Sequence, residues 1–371
     1  MNKEQTIFLE LLKSAIWHRP ANISMFTGID SCIWEKVFRL STLQRTTALI
    51  ADGIQTLPDF CLPPNELYLK LFIQSEEIEK ANLRINKALS EITAEYAAVN
   101  CPFILLKGQG LALNYPNPLH RTPGDLDLFL YQEGDYEKAK EWVKVQGYPQ
   151  EAECLIHLGY TRKGIHIENH KFISVIEHPR YYKLLKKEVK KILATENLNL
   201  LKIGETEVKL LPPSFDALFV FIHMLHHFMH LGVGIRQFCD WVLLLNKHKD
   251  FINKVYFESL LEEFALQKPA CVFANAAIKY LDAPRSIFPF ELHSDDVYSD
   301  VVMEDILDAG HFGFYRSGEK RPKGKWSGRW FSFRYTCKRS ALMHPIAPEH
   351  IFIVPFVQIL TRLKLTIKGD L

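Results

Sequence analysis

Residues 103–130 read FILLKGQGLALNYPNPLHRTPGDLDLFL, and the fold follows from how that stretch divides. Phe103-Ile104-Leu105-Leu106 is an apolar run closed by Lys107-Gly108, the pattern of a short strand buried on both faces. Residues 109–115 continue as a short helical stretch, and Pro116, Pro118 and Pro123 then mark a loop. Residues 125–130 open with alternation, so on a strand Asp125 and Asp127 share one face while Leu126 and Leu128 take the other. A glycine directly after the first strand lets the backbone approach a phosphate, whose charge a following helix N-terminus favours. Two carboxylates on one strand face repel by on the order of 4 kcal/mol at 4 Å and an effective dielectric of 20. A strand end splayed into water tolerates this. A divalent cation removes it, and Mg²⁺ is commonly held by one or two carboxylates together with substrate phosphates.

Outward from this segment the texture is helical on both sides. Residues 65–99 contain no Gly or Pro and carry Leu67, Leu71, Ile78, Leu83, Ile85, Leu89 and Ile92 at helical spacing, which predicts one long helix. Downstream, residues 135–146 read as a helix, residues 154–160 and 164–169 as strands, and Gly204-Glu205-Thr206 as the turn of a hairpin. Helices are predicted from Ser214 to His230 and over 235–247, with helical spacing continuing to about Tyr280. This pattern predicts an α+β fold. A small mixed sheet within an α/β core (101–212) lies between an N-terminal helical region (1–100) and a C-terminal helical domain (213–371).

A third acid on a neighbouring strand would complete a metal centre. Glu168 is the best placed, because Ile165 and Ile167 alternate inward and leave Glu168 outward with His166 and His170; Glu151, Glu153 and Glu177 are the substitutes.

These residues resemble the nucleotidyltransferase superfamily of the DNA polymerase β type. More narrowly they resemble its bacterial branch with a Lys-Gly, a following Arg and an Asp-x-Asp. Gly108 matches the glycine, Asp125 and Asp127 the metal pair, Glu168 the third acid, and Lys107 and Arg121 the branch's lysine and arginine. A His-bearing helix followed by an Arg…Asp helix matches His226, His227 and His230, then Arg236 and Asp240. The resemblance covers about residues 101–245. It implies two Mg²⁺ ions bound by Asp125, Asp127 and Glu168. A nucleoside triphosphate would lie beside Lys107, Gly108, Gln109, Arg121, Arg236 and Asp240, in a cleft between sheet and C-terminal helices. The reaction implied is transfer of a nucleotide to an acceptor hydroxyl with release of pyrophosphate. Gln109 departs from the superfamily pattern, replacing a serine or second glycine, so the hydroxyl that would touch the triphosphate is missing.

Other features admit two readings. His223, His226, His227 and His230 share one helical face, either a packed face lining a cleft or a metal cluster. Arg236 and Asp240, four residues apart, can pair along their helix. His166, Glu168 and His170 alternate on one strand face, either as polar exposure or as a separate metal site. The basic stretch 181–191 reads as a solvated helix face. Residues 311–340 hold nine Lys/Arg against one Glu with eight aromatics interleaved, the make-up of a nucleic-acid-binding element or of a basic loop crossing an acidic surface.

Composition narrows the field. The chain of 371 residues carries a formal charge of only +2, so no global field announces a nucleic-acid or membrane partner. Seven scattered cysteines without a Cys-x-x-Cys predict reduced thiols, neither a disulfide frame nor a zinc site. With no signal-like start and no run of ~20 apolar residues, the expected location is cytoplasmic without a membrane span. The acceptor (small molecule, protein or RNA) and the oligomeric state are not encoded in any motif. The rival readings are a sugar transferase whose Asp-x-Asp grips metal and a nucleoside diphosphate, a degenerate transferase-like binding or regulatory protein, and an RNA-modifying enzyme.

Overall fold

The computed structural model describes residues 1–174, 176–195, 198–293, 297–310, 322, 324–354 and 356–357. Helices α1 (Lys3–Ile16), α2 (Ser31–Leu43), α3 (Thr47–Gln55) and the long α4 (Asn65–Ala98) precede the first strand. The central part runs β1 (Phe103–Leu106), α5 (Gly108–Ala112), β2 (Leu126–Leu130), α6 (Asp135–Val145), β3 (His157–Arg162), β4 (Ile165–His170), α7 (Pro179–Ala194), β5 (Asn199–Ile203) and β6 (Thr206–Leu210). Then follow α8 (Pro213–His230), α9 (Ile235–His248), α10 (Lys254–Glu263), α11 (Gln267–Leu281), α12 (Ser299–Ala309), α13 (Lys325–Met343) and α14 (Pro348–Ile351).

One six-stranded mixed sheet, ordered β3-β4-β2-β1-β6-β5, carries the α+β fold. β2 is antiparallel to β1, with Leu106 opposite Asp127, and parallel to β4, with Asp127 opposite Glu168. Because side chains alternate along a strand, each face of the sheet buries a different set. Phe103, Leu105, Leu126, Leu128 and Ile167 meet Leu89, Ile92 and Tyr96 of α4 and Ala139 and Val143 of α6. Ile104, Leu106 and Phe129 join the larger core of α8, α9 and the remaining helices. Asp127 therefore points toward α8 and α9, the side on which the chain leaves a cavity.

The two helical flanks share that larger core. Gln44, fully buried at the end of α2, donates to the Ile306 and Leu307 carbonyls at 2.9 and 3.2 Å and accepts from the Ile235 amide at 2.7 Å. The indole of Trp17 donates to the Leu281 carbonyl. Such pairings satisfy buried polar groups only if N- and C-terminal helices close on each other.

Several bounds differ from the sequence reading. β3 begins at His157, three residues beyond Cys154, and Leu83 of α4 is exposed. Leu83 lies on the turn of α4 where the helix passes from α3 to the sheet, and its spacing alone does not show that no element covers it. All seven cysteines are free; Cys61, Cys101, Cys239 and Cys271 are buried, whereas Cys32 and Cys154 are exposed. Of the basic segment 311–340, residues 311–321 and 323 lie outside the described residues. From Lys325 onward it is the helix α13 and not a loop, with Arg339 buried against Asp305. Among the described residues no helix is long and apolar enough to cross a membrane.

Candidate active site

The turn between β1 and α5 is strained where it meets the cavity. Lys107 has φ 52° and ψ −136°, a region that residues with a Cβ rarely adopt and that costs on the order of 1–3 kcal/mol. Gly108 follows at φ +40°, and a Cβ there would stand 3.3 Å from the Asp125 carbonyl oxygen. The turn thus runs close against the backbone that leads into β2. That approach carries the Lys107 ammonium to 3.1 Å from Asp127 Oδ1.

Asp127 is the hub. It is 2% exposed, and its Oδ1 also lies 2.9 Å from His170 Nε2. The same Nε2 is 3.0 Å from Glu168 Oε2, so one imidazole joins the two carboxylates that the β2–β4 register sets side by side. His157, opposite His170 on β3, brings Nδ1 to 3.4 Å from Glu168 Oε2, and His166 Nε2 lies 3.6 Å from Glu168 Oε1. One ligand atom from each of Asp125, His166 and Glu168 falls within 4.8 Å of the others. Asp125, Asp127 and Glu168 thus meet at one end of the sheet.

The electrostatics follow from that crowding. Burial raises the Asp125 carboxyl pKa above its ordinary value, and the neighbouring Asp127 charge adds to the rise. Burial acts on Asp127 in the same sense, but Lys107 and His170 outweigh it and hold its carboxyl well below the usual range. Burial opposes charge on Lys107 and His170 as well. Asp127 and its acidic neighbours prevail, leaving both pKa values raised.

Arg121 and Asp240 form a second buried group. Arg121 donates from Nε and Nη2 to the two oxygens of Asp240 at 2.7 and 2.8 Å, and Tyr115 Oη donates to Asp240 Oδ1 at 2.7 Å. The sequence leaves Arg236 and Asp240 free to pair along α9. Here Asp240 is taken by Arg121, and Arg236 donates instead to the Thr122 carbonyl at 2.6 Å. Burial and the nearby Arg121 charge lower the Arg236 pKa to about 10. Arg121 Nη1 and Arg236 Nε are both buried without a hydrogen-bond partner. The Pro-rich loop bearing Arg121 is pinned by Asn82 of α4, which donates to the Leu119 and Arg121 carbonyls at 2.7 and 3.0 Å. His120 adds contacts to Asp52 and Glu79 at 2.7 and 2.6 Å.

These groups line one cavity of about 550 Å³ between the sheet end and helices α8 and α9, a volume in the range of small-molecule sites. Lys107, Gly108, Arg121, Asp125, Asp127, Glu168, His170, His227, Arg236 and Asp240 all reach it. Gln109 does not. It is buried against α4, donating to Asn82 and Asn86 at 3.3 and 2.5 Å, so its amide is a structural tie of α5 and not a phosphate contact. His230 also turns elsewhere, its Nε2 lying 2.8 Å from Glu177. Of the substitute acids, Glu153 is spent on Lys140 and Tyr136 at 2.6 and 2.8 Å, and Glu177 on the histidines of α8.

Arg45 and His157 line the cavity although sequence reasoning did not single them out, whereas His223 reaches it from the histidine face of α8. Arg45, exposed and at φ +57°, comes from the α2–α3 junction that Gln44 anchors to α9. No local pattern marks it, because its place in the cavity depends on contacts almost two hundred residues away. His157 was legible in principle, since the β3–β4 pairing puts it directly opposite His170.

A family described as "Uncharacterised nucleotidyltransferase" matches residues 30–282, which take in the whole sheet, the three acids and helices α8 and α9. No curated protein matches the chain. Among solved structures, an antigenic nucleotidyltransferase-like protein from Paracoccidioides brasiliensis is similar at 15% identity and TM-score 0.38, covering 56% of this chain and 94% of that one. With more than half its length matched, the chain belongs to the family of uncharacterised nucleotidyltransferases.

Proposed function

We propose that this protein transfers a nucleoside monophosphate from a nucleoside triphosphate to an acceptor hydroxyl, with Mg²⁺ and release of pyrophosphate. The observation that carries the reading is the meeting of Asp125, Asp127 and Glu168 opposite the cationic wall of Lys107, Arg121 and Arg236 in one cavity. The donor set suits divalent cations: hard carboxylate oxygens on paired strands, crowded enough that the Asp125 carboxyl is raised above its ordinary pKa. Two Mg²⁺ ions held by these acids would neutralise charge developing on the α-phosphate and favour ionisation of the attacking hydroxyl.

The chain's own groups divide the remaining work. Lys107 and the guanidinium groups of Arg121 and Arg236 at the cavity lining bind phosphate oxygens, and Arg45 extends that wall from the N-terminal helices. His170 fixes the orientation of Asp127 and Glu168 by bonding both. The acceptor oxygen forms its bond to the α-phosphorus as the bond to pyrophosphate breaks. Its proton leaves toward Glu168, beside which burial keeps His157 neutral and able to accept it. The catalytic effect is positioning and charge neutralisation, with no covalent intermediate on the protein. Helix α8 closes the far side with Val220 and Met224 and limits water.

Incubation with the four α-labelled nucleoside triphosphates, Mg²⁺ and a cell extract as acceptor source tests this directly. Label should pass to an acceptor with stoichiometric pyrophosphate release. Release of a nucleoside diphosphate would instead assign sugar transfer, and absence of Mg²⁺-dependent nucleotide binding would leave a binding protein without catalysis.

A further inference from the structure

Among the described residues, one cluster of metal-ligating side chains outside the candidate active site stands on separate residues. Glu177, on the segment between β4 and α7, faces His226 and His230, one turn apart on α8. His226 Nδ1 lies 3.2 Å and His230 Nε2 2.8 Å from the same oxygen, Glu177 Oε1, and the two rings are 4.5 Å apart. One ligand atom from each of the three falls within 4.8 Å of the others. Both nitrogens are buried and are turned onto that one carboxylate oxygen. Three potential metal ligands thus converge on one point. Behind them lies a small cavity lined by Glu177, His226, Met229 and His350, while His226 also reaches the main cavity.

We propose that Glu177, His226 and His230 form a second divalent-metal site, selective for Zn²⁺-like transition ions over Mg²⁺, that ties the β4–α7 segment to helix α8. Two imidazole nitrogens and one carboxylate make a donor set suited to zinc and its neighbours. Mg²⁺ prefers oxygen ligands and surrenders its water reluctantly. Histidines at i and i+4 place both nitrogens on one side of a helix, so only the third ligand must come from elsewhere in the chain. The two metal centres then differ in their oxygens: at the sheet end Asp125 and Asp127 join Glu168 beside His157, His166 and His170, whereas the site in the wall behind has one carboxylate to two imidazoles.

The test uses the full chain, stripped with a chelator, dialysed and titrated with Zn²⁺ in a hundredfold excess of Mg²⁺, with Co²⁺ as an optical probe of the ligand field. Wild type should retain one Zn²⁺ equivalent that Mg²⁺ does not displace, and Co²⁺ should give visible bands of a low-coordinate nitrogen and oxygen site. His230→Gln and Glu177→Gln should each weaken that binding by about a hundredfold or more, whereas His166→Gln, in the other cluster, should leave it. Far-ultraviolet circular dichroism confirms folding of each variant, and either of the two ligand variants suffices. Zinc affinity unchanged in a folded Glu177→Gln or His230→Gln chain, or no Mg²⁺-resistant zinc in wild type, overturns the proposal.

Discussion

Replacing Asp125 with asparagine is expected to reduce nucleotidyl transfer by at least about a thousandfold while raising the stability of the metal-free protein. Both halves come from the same crowding. Asp125 contributes a carboxylate to the acidic end of the sheet, and an amide is a poor ligand for Mg²⁺. In the metal-free chain that partly exposed carboxylate lies beside Asp127, and desolvation and the Asp127 charge together raise its pKa above its ordinary value. A carboxyl whose pKa is higher in the folded than in the unfolded chain stabilises the fold fully only in acid, and that contribution is lost as pH rises through the folded value. The stability advantage of Asp125→Asn should therefore be largest at neutral and alkaline pH and close toward pH 4. Urea unfolding across this range, beside turnover at saturating Mg²⁺, reads both effects. A variant that is inactive and also less stable at neutral pH would contradict the electrostatic account of the acid pair.

Asp240→Ala is expected to destabilise the protein by about 3–5 kcal/mol, the usual cost of stranding one partner of a buried ion pair. Arg121 and Asp240 are both nearly inaccessible, at 4% side-chain exposure for the arginine and 5% for the aspartate. Removing the carboxylate leaves the Arg121 guanidinium unpaired beside Arg236 and takes the acceptor from Tyr115 Oη. The double variant Arg121→Met/Asp240→Leu should regain most of that stability, because two apolar side chains of similar length leave no buried charge. It should not regain triphosphate affinity, since the Arg121 guanidinium at the cavity lining is gone. Thermal unfolding and nucleotide titration of the two single variants and the double variant separate these effects. A loss below about 1 kcal/mol in Asp240→Ala would show that the pair is not the structural clamp its burial suggests.

How much was legible in the sequence depended on how far apart the interacting residues lie. β1, α4 and the two aspartates could be read because alternation and helical spacing are local properties, and Glu168 because Ile165 and Ile167 mark the inward face of its strand. The β2–β4 pairing that sets Asp127 opposite Glu168 carries no such local mark and rests on the packing of the whole sheet. The partner of Asp240 is hidden from the sequence for the same reason. A residue four positions away on α9 is always a candidate, whereas Arg121 reaches Asp240 only because Asn82 and His120 pin a distant loop. Gln109 follows Lys107-Gly108 directly, yet the short helix turns its amide onto α4. The four histidines of α8 share a face as expected. What divides them between the cavity and Glu177 is the path of the β4–α7 segment, which no periodicity encodes.

The central claim is that Asp125, Asp127 and Glu168 hold divalent cations against a triphosphate bound by Lys107, Arg121 and Arg236. A crystal grown with Mn²⁺ and a non-hydrolysable nucleoside triphosphate, measured at the manganese absorption edge, examines it most directly. Anomalous density should appear between the three carboxylates, with the triphosphate oxygens on the cationic wall. Manganese absent from the acids, or a nucleotide bound outside this cavity, would contradict it.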